Sequence, residues 1–219
     1  MDELAIKKIV KKVIEEIGLR DRHWRTVPIE ASARHVHLSM DDVERLFGEG
    51  HRLTPARDLS QPGQFLCQER VTILGPKGLF KNVAILGPER KETQAEISRT
   101  DAFSLGIDAP VRESGKIEKS PSIYLSVGKN MIRAEKGAIV AKRHVHMTPE
   151  NALDYGLKDQ QIVAVKVFSD RPIIFEDVLV RVHDQYSLHM HIDLDEANAC
   201  GFYEGMKGQI LVEEEVKRC

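Results

Sequence analysis

The chain has 219 residues, 42% of them hydrophobic, enough for one large core or two small ones and too many for a disordered chain. Its 32 basic and 34 acidic side chains leave a net charge of -2 without a block of like charges, so nothing marks a nucleic-acid surface. Cysteines at 67, 200 and 219 form no Cys-x-x-Cys pair, and no run reaches the roughly 18 apolar residues of a membrane span; an intracellular protein without nucleic-acid or membrane partners is expected.

Residues 2–19, DELAIKKIVKKVIEEIGL, place Leu4, Ile6, Ile9, Val10, Val13, Ile14 and Ile17 at helical spacing, so residues 1–20 are predicted as an amphipathic helix on a short polar tether. From Val27 onward the signals are strand-like: RVTILG, FKNVAILG, SIYLSVG, GAIVAKRHVHM, QIVAVKVF, PIIFEDVLVRV, SLHMHIDL and GQILVEEEV are short Val/Ile-rich runs set off by Gly, Pro, Asn and Asp. Short helices are predicted behind the caps Ser39, Thr100, Thr148 and Asp193. Many short strands without regular helical crossovers predict a mainly β fold of closed or nearly closed barrels.

Arg-His-Val-His occurs twice, from Arg34 and from Arg143, 109 residues apart. A second alignment, EISRTDAFSLGI on HIDLDEANACGF, pairs Asp101 with Glu196, Ala102 with Ala197 and Gly106 with Gly201 at an offset of 95. Two related halves with loops of different length account for both offsets. In this register Glu96 falls on His191.

Side chains two apart on a strand share a face, roughly 6.5 Å apart along it, so both rings of a His-x-His can lean on one ion. Six of the nine histidines occur as such pairs: His35 with His37, His144 with His146, and His189 with His191. The repeat assigns His35, His37 and Glu96 to one metal and His144, His146 and His191 to another; His189 either supports the ligands from behind or is structural, since strand alternation does not tell which member of a pair contributes. Imidazoles and carboxylates without thiolates suit Zn²⁺ or another first-row divalent ion, and three protein ligands leave a position open for chemistry. On these six side chains the first site should be the less positive. Arg34, Arg90, Arg99 and Arg143 lie near the proposed ligands and suit an oxyanion substrate, although a surface ion pair is the simpler reading of any single one of them. Arg90 is the strongest candidate, because GPERKETQAEISRTD leads from it to Glu96.

ARHVHLS, RKETQAEISRTDAFSLGIDAPVRESG, AKRHVHMTPENALDYGL and LHMHIDLDEANA, in this order between about Val27 and Val212, resemble the PduL-type phosphate propanoyltransferases, the phosphotransacylases of bacterial microcompartments. The resemblance implies two β-barrels with short helical caps and a dinuclear zinc site between them. Residues 24–33 plus 142–214 would form the first barrel and residues 34–141 the second. It implies the same six ligands for two Zn²⁺ per subunit, Arg90 as the phosphate-contacting residue, and a short-chain acyl-CoA, propanoyl-CoA or acetyl-CoA, reacting reversibly with phosphate to give acyl phosphate and coenzyme A. It also implies a homodimer or larger oligomer in the bacterial cytoplasm, within a microcompartment for propanediol degradation whose shell proteins would bind residues 1–20. A dinuclear metal hydrolase of a phosphate ester or thioester, and a metal-stabilised binding module without catalysis, are the alternatives.

Overall fold

In the computed structural model the described residues are 25–211; the helix predicted over residues 1–20 lies outside them. Valine- and isoleucine-rich segments whose alternate residues are buried form two sheets. The first is a closed six-stranded barrel in the order β1 (Thr26–Ser32), β14 (His189–Asp193), β11 (His144–Met147), β13 (Ile173–Val182), β12 (Ile162–Val167) and β15 (Lys207–Leu211), with β15 pairing back onto β1. Its core includes Val145, Met147, Val165, Val180, Met190 and Ile210, all almost wholly removed from solvent.

The second sheet has nine strands and is curled but not closed. Its order is β7 (Val111–Arg112), β10 (Ala138–Ala141), β6 (Gln94–Glu96), β2 (His35–His37), β5 (Leu79–Gly87), β4 (Phe65–Leu74), β8 (Ile123–Val127) and β9 (Asn130–Ala134), with β3 (Pro55–Asp58) pairing onto β4. The expected second barrel is therefore a half-barrel. Helix α1 (Met40–Phe47) packs against β8 and β9, buries Val43 and Leu46, and accepts at the Leu46 carbonyl from Asn130 Nδ2 at 2.9 Å.

The chain exchanges strands between the sheets. Strand β1, which precedes the first His-x-His, lies parallel to β14 in the closed barrel; β10, which precedes the second, lies parallel to β6 in the half-barrel.

Among the described residues the three other helices are α2 (Arg99–Leu105), α3 (Pro149–Tyr155) and α4 (Leu194–Ala199), each closed at its start by a reciprocal capping box. Thr148 and Asp193 are caps as expected, as is Ser39 for α1. Thr100 is not a cap. Helix α2 begins two residues earlier behind Ser98, whose hydroxyl accepts from the Asp101 amide while its own amide donates to the Asp101 carboxylate, and a cap satisfied on both sides outcompetes a lone threonine. The Thr100 amide donates instead to Asp195 on α4, at 2.8 Å, and Ser98 Oγ donates to the same carboxylate, at 3.1 Å. A carboxylate from the C-terminal half thus satisfies the start of a helix in the N-terminal half and ties the two sheets together.

Candidate metal centre and active site

Short strands lay the histidine pairs beside their third members. Strand β2 runs antiparallel to β6 with His35 opposite Glu96, and β11 runs antiparallel to β14 with His144 opposite His191 and His146 opposite His189. Strand alternation turns both members of each His-x-His to one face. In the first group the Nε2 atoms of His35 and His37 lie 3.6 and 3.5 Å from the Glu96 carboxylate. In the second, the ring centres of His144, His146 and His191 lie 4.5 to 5.2 Å apart. Each group offers three donor atoms within 4.8 Å of one another. His189 falls outside both groups.

Backbone carbonyls set the rings. His35 donates from Nδ1 to Ala33 at 2.8 Å, His144 to Lys142 at 2.8 Å and His37 to Leu86 at 3.1 Å. A carbonyl only accepts, so each of these three rings carries a proton on Nδ1, and in the neutral ring that leaves Nε2 as the nitrogen with a lone pair, the arrangement usual around a bound metal ion. Burial favours the neutral ring at four of the donors: it takes His37 and His191 down to about 3, and lowers His144 and His146 as well. Burial opposes the ionised form of Glu96, but His35, His37, the Ser114 hydroxyl and Arg90 outweigh it and bring this carboxyl to about 2. Neutral imidazoles beside an ionised carboxylate are the protonation states that a divalent cation requires. His146 Nδ1 is buried without a hydrogen-bonding partner, consistent with a nitrogen reserved for a ligand. The donor set fits Zn²⁺ or a similar ion.

Both groups face one cavity of about 910 Å³, lined from the two sheets and from the loop between β3 and β4. Arg90 lies on its wall, 3.9 Å from Glu96, and donates to Ser114 Oγ at 2.7 Å. Ser114 in turn donates to Glu96 at 2.5 Å, and Gln94 donates to both Glu96 and Ser114. Sequence reasoning missed these two residues. Gln94 was open to discovery, since it stands two residues before Glu96 on the same strand face; Ser114 comes from a loop 18 residues away in sequence and gave no local signal. Arg181 and Tyr186, also on the cavity wall, were missed for the same reason.

The other candidate arginines are engaged in holding the scaffold. Arg34 donates twice to Asp101, with Nη2 at 2.6 Å, and stacks on Phe80 at 4.2 Å. Arg143 pairs with Glu196 at 3.2 Å and lies over Phe175 at 5.4 Å. Each arginine preceding a His-x-His therefore grips the acidic third residue of the helix that follows the opposing strand. Arg99 donates to the Ala109 carbonyl at 3.0 Å on an exposed surface.

The family profile described as phosphate propanoyltransferase matches residues 28–203. The chain is similar to a phosphate propanoyltransferase of Enterococcus faecalis, 53% identical over 207 residues that cover 94% of this chain and 97% of that protein. A phosphate propanoyltransferase of Sebaldella termitidis is 53% identical over 96% of this chain and 99% of its own length. A third, from Thermotoga maritima, is 56% identical over 78% and 82% respectively. With a profile match spanning most of the chain and relatives at this identity over nearly their full length, the chain belongs to the phosphate propanoyltransferase family and is an acyltransferase.

Proposed function

We propose that the protein interconverts a short-chain acyl-CoA plus phosphate with acyl phosphate plus coenzyme A, propanoyl-CoA or acetyl-CoA being the acyl donor, on a dinuclear zinc site. The observation that carries this reading is the pair of compact donor groups facing one cavity beside Arg90. His35, His37 and Glu96 hold one ion and His144, His146 and His191 the other. When bound, zinc supplies a Lewis acid for the thioester and a positive anchor for oxyanions.

Arg90 holds phosphate through its planar fork, with Ser114 and Glu96 fixing the guanidinium from behind. So placed, one phosphate oxygen attacks the acyl carbon, the C–S bond breaks, and the electron pair leaves with the thiolate of coenzyme A. No covalent acyl-enzyme is needed. Cys67 is buried and its thiol is pushed up to about 11, mainly by burial with Glu69 and Glu89 adding to it; Cys200 is buried too, and neither lines the cavity. Replacing Cys67 or Cys200 by serine leaves turnover intact; loss of turnover with metal content preserved would exclude direct attack.

The barrel division at residues 24–33 plus 142–214 and 34–141, with the internal repeat, belongs to the same reading. It is supported by the matching antiparallel registers, His35 opposite Glu96 and His144 opposite His191, and by left-handed backbone at both Gly106 and Gly201. A homodimer or larger oligomer within a bacterial microcompartment, with residues 1–20 binding shell proteins, completes it. Among the described residues no helix is long and apolar enough to cross a membrane.

The test is thiol release from acyl-CoA esters of increasing chain length, with and without phosphate, on metal-loaded and chelated protein. Release that requires both phosphate and metal is expected. Phosphate-independent release would favour a hydrolase, and no release with any ester would favour a binding module.

A further inference from the structure

Glu30 occupies a place in the closed barrel that no site assignment so far uses. It sits on β1, directly beside His191 in the parallel ladder with β14. Its carboxylate lies 3.7 Å from His191 Nδ1 and 3.7 Å from His189 Nε2, and accepts a hydrogen bond of 2.6 Å from Ser60 Oγ on the loop between β3 and β4. The equivalent neighbour in the half-barrel is apolar: Ile139 on β10 stands beside Glu96. Each sheet therefore carries one carboxylate at this level of its ladder, on the third-donor strand in the half-barrel and one strand over in the closed barrel.

His191 also differs from His35, His37 and His144 in its anchoring. Those rings fix Nδ1 on a backbone carbonyl, whereas Nδ1 of His191 faces Glu30. We propose that Glu30 is a positioning residue for the second donor group, its carboxylate keeping the His191 proton on Nδ1 and the Nε2 lone pair directed at the ion. At 3.7 Å the interaction is an electrostatic one and longer than a hydrogen bond. Carboxylates behind metal-binding imidazoles act in this way by fixing tautomer and ring orientation. Because Ser60 comes from the half-barrel side, the second donor group is completed only when the two sheets are docked. Gln61, the next residue, ties the same loop down: it donates to the Ser187 carbonyl at 3.0 Å and accepts from the Ser187 amide at 3.1 Å.

This inference rests on the two-ion reading above, and the experiment separates the two. Zinc release to a chromophoric chelator is followed in the full chain, in a His37→Ala background that retains only the second group and in a His144→Ala background that retains only the first. Glu30→Gln, nearly isosteric at a half-exposed position, is introduced into each. Zinc affinity is expected to fall about 10- to 100-fold in the His37→Ala background and to stay unchanged in the His144→Ala background. Ser60→Ala should give a smaller loss with the same selectivity. Co²⁺ bound to the second group should keep its coordination number in Glu30→Gln, as shown by unchanged absorption intensity. Equal loss from both groups, no loss from either, or a change in Co²⁺ coordination number overturns the positioning role. Fewer than two ions bound by the unsubstituted protein would overturn the two-ion reading itself.

Discussion

The two donor groups share a scaffold and differ in what surrounds it. In both, a His-x-His strand meets its third donor across an antiparallel ladder, and an arginine just before the first histidine clamps the cap of the following helix. The first group is the more deeply buried: His35, His37 and Glu96 are all buried, and Glu96 is hydrogen-bonded by Gln94 and Ser114. The second is more open, with only His146 fully buried, and contains no carboxylate of its own. Its negative charge stands one strand away at Glu30, on the cavity side. The expectation that the first site is the less positive counted six side chains only; Glu30 narrows that difference. One backbone arrangement with different neighbours thus gives the two donor groups distinct environments, the first more buried and the second more open.

The largest effects should come from the donors themselves. His35→Ala and His144→Ala should each lose one metal equivalent and lower thiol release by at least 100-fold, measured as metal content and rate on the same preparation. Full metal content and normal rates in both would break the assignment. Arg90→Ala should come next, raising the phosphate concentration needed for half-maximal rate about tenfold or more while leaving metal content unchanged, with Arg90→Lys recovering only part because lysine lacks the planar fork.

Acid should act on both groups through one histidine from each. His37 and His191 fall from 6.5 to about 3 on folding, so between these pH values the unfolded chain binds more protons than the folded one. Their contribution is present above pH 6.5 and is lost as pH falls toward 3, by up to about 1.4 kcal/mol per pH unit for each ring. Glu96, lowered from 4.5 to about 2, adds in the same direction below pH 4.5. Denaturant unfolding of the chelated protein from pH 7 to pH 4 should show a falling midpoint. A flat profile would contradict buried, neutral rings.

The arginine clamps give the smallest contrast. Arg34→Ala leaves the buried carboxylate of Asp101 with its charge partner gone and should cost about 1–3 kcal/mol. Arg143→Ala removes a more exposed pair and should cost about 1 kcal/mol or less. Equal losses would show that the two clamps are energetically alike despite their different burial.

Much of the site was legible because local rules carry information along the chain. Period-two alternation puts His35 with His37 and His144 with His146 on one face whatever the sheet around them. The offset of 95 paired Glu96 with His191, and the structure places both at the same register point opposite the first histidine of each motif. Proximity in sequence could not say what the arginine before each motif binds: Arg34 pairs with Asp101 and Phe80 at the cavity wall, and Arg143 pairs with Glu196 and lies over Phe175.

The amino-acid sequence by itself determined the strand-rich class, most of the helix caps and the histidine pairs, because each of these depends on neighbours or on a fixed period. Only the tertiary structure decided that the half-barrel stays open under α1, that Ser114 stands behind Arg90, and that Glu30 and Ser60 meet beside His191. Those side-chain contacts join residues separated by 24 to 161 positions, whose approach is set by sheet order and docking and by no local preference.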